Sequence, residues 1–304
     1  MYKSSLKAQL ISPDSGEVLI YQADQQQLND QSGHQYPIED GVPILLPVER
    51  LESFTKSKIH KNRATDFHYM EHYQKDAEVF DYFQLNLGGA TVHENRRLHE
   101  VISSEVPKNA KNILDVGCGK AWVAAHFCPK GKEVFSMDIS TLNPKKAVKA
   151  HPFDNHHGVV ADVYALPFAE NAFDCIIASE IIEHVPNPRA FMQCLVKVLR
   201  PGGKFIITTP YKEKIVHHLC IHCNHPTPEN AHLHSFDEHI LMDIRPKEDL
   251  AKANYKIFSN KWLIKLRSHI VFQHFPHGLW WFFDRVANKT LGTPTRILLA
   301  FEKK

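Results

Sequence analysis

The chain of 304 residues has little net charge, few cysteines and no long apolar run. A formal balance of +2 creates no strong field, so charge alone implies neither nucleic acid nor an acidic membrane as a partner. Uninterrupted apolar stretches fall short of the roughly 18 residues of a membrane-crossing helix, and no apolar leader core opens the sequence. This argues against secretion and integral insertion. Of the six cysteines, Cys118, Cys128, Cys175 and Cys194 sit singly among apolar or helical residues, as small hydrophobes do, and a reducing, cytoplasmic location is expected. Internal repeats and low-complexity tracts are also lacking. Histidine, in contrast, is abundant: many of the 21 crowd between His217 and His239, which raises metal binding or proton chemistry. With 43% hydrophobic residues the chain can bury a full core, as one large domain or one plus a small module.

Turns at Ser12-Pro13-Asp14-Ser15-Gly16 and Asn29-Asp30-Gln31-Ser32-Gly33 punctuate short alternating segments, followed by Tyr36-Pro37-Ile38 and Asp40-Gly41-Val42-Pro43. Residues 1–50 therefore read as a small β-rich module, too short for its own core, that needs a staple or must pack on residues 51–304. Residues 55–106 look mainly helical, with apolar side chains at helical spacing over 76–83 and 94–102. The period then changes. Short β-rich apolar runs at 112–116, 133–137, 158–161, 173–178 and 204–209 alternate with helical stretches such as 191–199, and candidate strands at 255–259 and 296–301 close the chain. That alternation predicts a doubly wound α/β fold with helices on both faces of a mainly parallel sheet.

The strongest local signal is Ile113-Leu114-Asp115-Val116-Gly117-Cys118-Gly119-Lys120-Ala121, a buried strand running into Gly-x-Gly and a helical pattern. Glycines there let the backbone turn sharply and approach a ligand. Asp115, just before them, would repel a pyrophosphate but can pair with a cationic group, which points away from a nicotinamide dinucleotide. Roughly 20 residues on, Asp138 ends the next strand, where an acid accepts hydrogen bonds from ribose hydroxyls. Asp162 ends the third, before Ala165-Leu166-Pro167-Phe168.

In order, Asp115 to Gly119, Asp138 to Ser140, Asp162 to Phe168, Phe173-Asp174 and Arg200 to Gly203 resemble the class I S-adenosylmethionine-dependent methyltransferases of the small-molecule type. The resemblance implies a seven-stranded Rossmann-like sheet and S-adenosylmethionine as cofactor. Gly117 and Gly119, with Cys118 between them, would pass its methionine part and Asp115 would lie near that end. Asp138, next to Ile139, would hold the ribose, Asp162 with Val163 would address adenine, and Ser179 would border the site. Ala121 departs from the family, many of whose members have a third glycine there. The N-terminal pattern resembles a zinc-ribbon-like module associated with such enzymes, but its cysteine positions fall on Ser12, Ser15, Asn29 and Ser32. Hydroxyls and amides do not replace thiolates as zinc ligands, so this copy is expected to be metal-free.

Two constellations concern the acceptor. Ser179-Glu180-Ile181-Ile182-Glu183-His184 follows the fourth strand; if it begins a helix, Glu180, Glu183 and His184 share one face where open α/β sheets bind ligands. Three uses are open: a hard divalent cation such as magnesium, as in ubiquinone-type O-methyltransferases and small-RNA 2′-O-methyltransferases with a similar Glu-x-x-Glu-His; a general base; or packing and capping. Within the insertion at about 212–236, Cys220, Cys223, His232 and His234 offer four ligands suited to closed, structural zinc, with a solvated histidine-rich loop or an acid–base pocket as the other readings. The aromatic stretch from Trp262 to Phe283, interleaved with Lys261, Lys265, Arg267 and Arg285, fits a cap over an acceptor pocket, a membrane surface or plain core. The expected acceptor is small or lipid-like, with an oxygen or carbon nucleophile, because no concentrated basic face announces RNA. RNA or protein methylation, and an inactive cofactor-binding regulator, are the alternatives.

Overall fold

Runs such as 112–116 and 173–178 hold so few polar residues that, as strands, they must be covered on both faces. In the computed structural model, which describes residues 10–47, 67–83, 87–221, 224–251 and 253–304, they lie at the centre of one sheet. Strand β5 (Asn112–Val116) pairs in parallel with β6 (Glu133–Asp138) on one side and with β8 (Phe173–Ser179) on the other. Outwards, β7 (His156–Ala161) and β9 (Leu199–Pro210) continue the parallel arrangement. Antiparallel β13 (Pro294–Glu302) and then β12 (Asn254–Asn260) complete that side. All seven expected strands are present, in the spatial order β7-β6-β5-β8-β9-β13-β12. Between β9 and β12 the insertion forms a separate antiparallel hairpin, β10 (His217–Leu219) with β11 (Pro226–Pro228). Strand order reverses between β5 and β8, and open α/β sheets bind ligands at such a crevice, at the carboxyl ends of the strands.

Alternation along each strand sorts the core into two layers. Leu114, Val116, Ile176 and Ala178 pack with Phe191 and Leu195 of the helix Pro188–Val198. Ile113, Cys175 and Ile177 pack on the opposite face with Val101 and Ile102 of the helix Gly89–Glu105. Helices thus cover both faces, as expected. The helix expected over 76–83 instead spans Tyr69–Val79 and stops at Phe80, whose backbone is extended; the expected helical residues 55–66 lie outside the described residues.

The N-terminal strands β1 (Ile20–Gln22), β2 (Gln27–Asn29), β3 (Gln35–Glu39) and β4 (Val42–Leu45) form an antiparallel meander whose last strand runs parallel to β7, so one sheet of eleven strands results. Leu10, Leu28 and Tyr36 enter the same core as Leu114 and Phe135. Hydrogen bonds tie the turns together where a ribbon would have its thiolates. The hydroxyls of Ser12 and Tyr36 are 2.8 Å apart, Ser15 Oγ donates to Asp30 Oδ2 at 2.7 Å, and Ser32 Oγ donates to Glu17 Oε2 at 3.1 Å. Burial opposes the charge on Asp30, but hydrogen bonds from Ser12, Ser15 and His34 outweigh it and hold the carboxyl below its ordinary range.

Candidate active site

The turn after β5 is held by consecutive N–H groups: Gly117 and Cys118 donate to the Met137 carbonyl at 2.9 and 3.0 Å. Gly117 has φ +68°, and a Cβ there would sit 2.2 Å from Ile181 Cδ1. Only glycine meets both demands. Gly119, at φ +45°, faces open space: a methyl added there would have no neighbour within 4 Å. Ala121 also has positive φ, 53°, so the departure from glycine leaves alanine in a left-handed backbone.

Beside this turn lies a cavity of about 730 Å³ lined by Gly117, Gly119, Asp138, Ile139, Asp162, Val163 and Ser179. Seven of the nine expected cofactor contacts therefore line one cavity. Cys118 is buried instead, and burial raises its thiol pKa well above the ordinary value. Asp115 is buried just before the lining residues Val116 and Gly117, and its Oδ2 has no hydrogen-bond partner. Burial, then the nearby Asp138 charge, pushes its carboxyl well above the usual range. A cationic or N–H-bearing ligand group would relieve that orphaned acceptor.

Asp138 is already oriented: Oδ1 accepts from the Ser140 N–H at 2.9 Å and Oδ2 from Asn143 Nδ2 at 3.1 Å. Asp162 Oδ1 accepts from the Tyr164 N–H at 2.9 Å, capping the short turn Val163–Ala165, while Oδ2 accepts from the Tyr69 hydroxyl. Each carboxylate oxygen has a second lone pair, so both acids can still receive ligand hydrogen bonds. An orphaned acid, an open glycine turn and two pre-set carboxylates beside one cavity fit S-adenosylmethionine.

Directly after Ser179, Glu180 to His184 do not begin a helix; they form a turn between β8 and the helix Pro188–Val198, in which the His184 N–H donates to the Ile181 carbonyl at 3.0 Å. Glu180 has φ +56°, a strained value for a side-chain-bearing residue, and its Oε2 accepts from Arg296 Nε at 3.3 Å. Glu183 is buried, with Oε2 accepting from Thr209 Oγ1 at 3.0 Å and Oε1 unpartnered. Burial, then the Glu180 charge, pushes its carboxyl well above the usual range. His184 Nδ1 donates to the Ala231 carbonyl at 3.3 Å, and burial lowers the imidazole pKa to about 4.

The insertion supplies a residue that the local sequence pattern assigns elsewhere. His232 approaches His184 with ring centroids 4.8 Å apart, and ligand atoms of Glu183, His184 and His232 all lie within 4.8 Å of one another. Among the described residues this is the one such group. Cys220 therefore does not gather with His232 and His234 into a common ligand set, and Cys223 lies outside the described residues. His234 turns its Nε2 to the Val185 carbonyl at 3.0 Å. Backbone bonds fold the insertion over the site: the N–H groups of Leu233 and His234 reach the Glu183 carbonyl at 2.8 and 3.3 Å.

Sequence reasoning missed one wall of the cavity, the helix Tyr69–Val79. Tyr69, His72, Tyr73 and Asp76 line it at the spacing i, i+3, i+4, i+7, a polar-aromatic face that was the available signal. Tyr73 donates to the His184 carbonyl at 3.2 Å, and Gln74 Oε1 accepts from the Thr141 N–H at 2.9 Å, so the helix is fastened to the loops after β8 and β6.

Comparisons with known proteins point to one family. Residues 91–256 match the family described as a methyltransferase domain. The chain is similar to the mitochondrial ubiquinone biosynthesis O-methyltransferase of Mus musculus, 33% identical over 121 residues that span 38% of this chain and 33% of the relative. It is also similar to the chloroplastic tocopherol O-methyltransferase of Arabidopsis thaliana, 32% identical over 123 residues, 39% of this chain and 35% of the relative. The matches thus span only about a third of these relatives. In fold it resembles an S-adenosylmethionine-dependent methyltransferase from Mesorhizobium loti, at a TM-score of 0.51 and 15% identity over 70% of this chain and 100% of that one. A Pyrococcus horikoshii protein is similar at 0.51 and 16%, over 76% and 99%. With its family match over residues 91–256 covering the turn after β5 and the strand-end acids, the chain belongs to the methyltransferase-domain family.

Proposed function

We propose that this enzyme methylates a hydroxyl oxygen of a small or lipid-like acceptor. The observation that carries the reading is the set formed by buried Glu183 and half-buried His184 and His232, of which the two imidazoles line the cavity that holds Asp138 and Asp162. Named relatives that methylate oxygen in ubiquinone biosynthesis and on tocopherol support the acceptor class. When bound, S-adenosylmethionine supplies an electrophilic methyl group on a sulfonium. The protein aligns the acceptor, excludes water and manages one proton. Glu183, whose Oε1 is unpartnered and whose carboxyl burial makes more basic, lies behind the cavity lining with a ligand atom within 4.8 Å of those of His184 and His232, so in this reading it takes the hydroxyl proton through a lining imidazole.

The same residues suit a divalent cation. His184 Nδ1 is committed to the Ala231 carbonyl and His232 Nδ1 to Glu213 Oε2 at 2.5 Å, which leaves both Nε2 lone pairs for a metal. Two imidazoles and a carboxylate favour zinc or another borderline ion over magnesium. A bound ion would lower the acceptor's pKa in place of a base. In a turnover assay with labelled cofactor and a panel of hydroxylated aromatic and prenylated acceptors, Glu183→Gln should lower kcat roughly 100-fold or more. Its cofactor affinity should stay within about twofold of wild type. Unchanged turnover in both Glu183→Gln and His184→Ala would return these residues to packing, and methylation of RNA alone would refute the acceptor class.

A further inference from the structure

The helix His277–Leu291 buries one face and carries an apolar stripe on an exposed one, where a surface helix is normally polar. Trp280, Asp284 and Ala287, at i, i+4 and i+7, are buried against the domain. Leu279, Phe282, Phe283 and Val286, at i, i+3, i+4 and i+7, form the exposed stripe and are 42%, 59%, 40% and 44% exposed. Water gains nothing from such a face, and scattered single hydrophobics do not explain four at helical spacing. The neighbouring segment extends it: Trp262, Leu266, Ile270 and Val271 are exposed too, and Phe272 stacks on Phe283 with centroids 5.6 Å apart.

Charge selects the occupant. From Lys261 to Thr293 the one acidic residue is Asp284, which is buried and accepts from the N–H groups of Ser259 and Asn260 at 3.1 and 2.8 Å. Every exposed charge in the segment is positive: Lys261, Lys265, Arg267, Arg285 and Lys289. Arg285 and Lys289 border the exposed stripe, and Lys265 Nζ lies 5.1 Å from the Trp262 ring centroid, the amphipathic pairing of a polar–apolar boundary. Glu100, beside His277 at 3.3 Å, is an acid packed against this segment from outside it, but the segment's own exposed charges are all basic, and basic side chains among exposed aromatic and aliphatic ones match the anionic headgroups and acyl chains of a bilayer. Among the described residues no helix is long and apolar enough to cross a membrane, so the contact is in-plane.

We propose that the face formed by residues 261–291 docks the enzyme in-plane on an anionic lipid bilayer. This goes beyond the acceptor reading and does not depend on it, because docking is measured without turnover. The probe is flotation of the full chain with vesicles of phosphatidylcholine alone or mixed with phosphatidylglycerol. Wild type should float with the mixed vesicles and lose binding as salt rises. Arg285→Gln with Lys289→Gln should weaken partitioning roughly fivefold per charge removed. Leu279→Glu with Phe282→Glu should abolish it, whereas Phe282→Leu should retain it, and unaltered cofactor affinity in all three variants shows that the fold persists. Equal binding to both vesicle types, no binding to either, or a dimer that dissociates in the Leu279→Glu/Phe282→Glu variant while wild type ignores vesicles would each overturn the proposal.

Discussion

Gly117→Ala tests the turn after β5 because its cost divides into parts that can be separated. At φ +68° an alanine is strained by about 1–2 kcal/mol. The new methyl would also lie 2.2 Å from Ile181 Cδ1 and 2.8 Å from Cγ1, and such overpacking costs about 1–3 kcal/mol. Ile181 can yield by moving its flexible end, and because it lines the cavity that movement would change the shape of the ligand's surroundings. The expected result is a stability loss of about 2 kcal/mol or more in urea unfolding, together with a loss of S-adenosylhomocysteine affinity above roughly tenfold by calorimetry. Ile181→Ala in the same chain removes the clash and leaves the strain, so the double mutant should recover about 1–2 kcal/mol relative to additivity. Gly119→Ala is the control: no atom lies within 4 Å, so stability should fall by only about 1 kcal/mol while the methyl still enters the cofactor cavity and weakens binding. Additive single and double mutants, or a Gly119→Ala protein that binds the ligand normally, would refute this account of the turn.

Asp138→Ala should reduce cofactor affinity by about 1.5–3 kcal/mol in calorimetry through the loss of charge-assisted hydrogen bonds, and preferential binding of a nicotinamide dinucleotide would contradict the site. Elemental analysis separates the two cation sets: His184→Ala should release any bound divalent ion and Cys220→Ser should keep it, whereas the reverse would restore the ligand set expected from Cys220, Cys223, His232 and His234. His99 stacks on Trp122 with centroids 4.0 Å apart, and burial lowers its pKa from 6.5 to about 4. The unfolded chain therefore binds the proton first, so this contribution is complete above pH 6.5 and is lost as pH falls towards 4. His99→Phe should accordingly remove about 2 kcal/mol of the stability difference between pH 8 and pH 5 in urea titrations, and an unchanged difference would exclude His99 as its source.

The strands that build the site were legible because a buried parallel strand announces itself locally, as a short apolar run, and its C-terminal acid follows at once. Asp138 and Asp162 needed no tertiary information to be placed at strand ends, and the spacing of Gly117 and Gly119 disclosed the turn between them. Helix boundaries were less legible: 76–83 reads as a helix by apolar spacing, yet the chain leaves it at Phe80, and the cavity-lining face is polar-aromatic. The Cys and His pairs in the insertion are neighbours in sequence, so local spacing grouped His232 with His234. Tertiary structure decided otherwise, because the Leu233 and His234 N–H groups bond the Glu183 carbonyl and thereby carry His232 across to His184. For the same reason the N-terminal strands, readable as β structure, became an extension of the sheet only through the pairing of Ile44 and Leu45 with Val160 and Ala161. Periodicity is a property of adjacent residues; which loop closes over which strand end depends on backbone groups that find partners only once the sheet has formed.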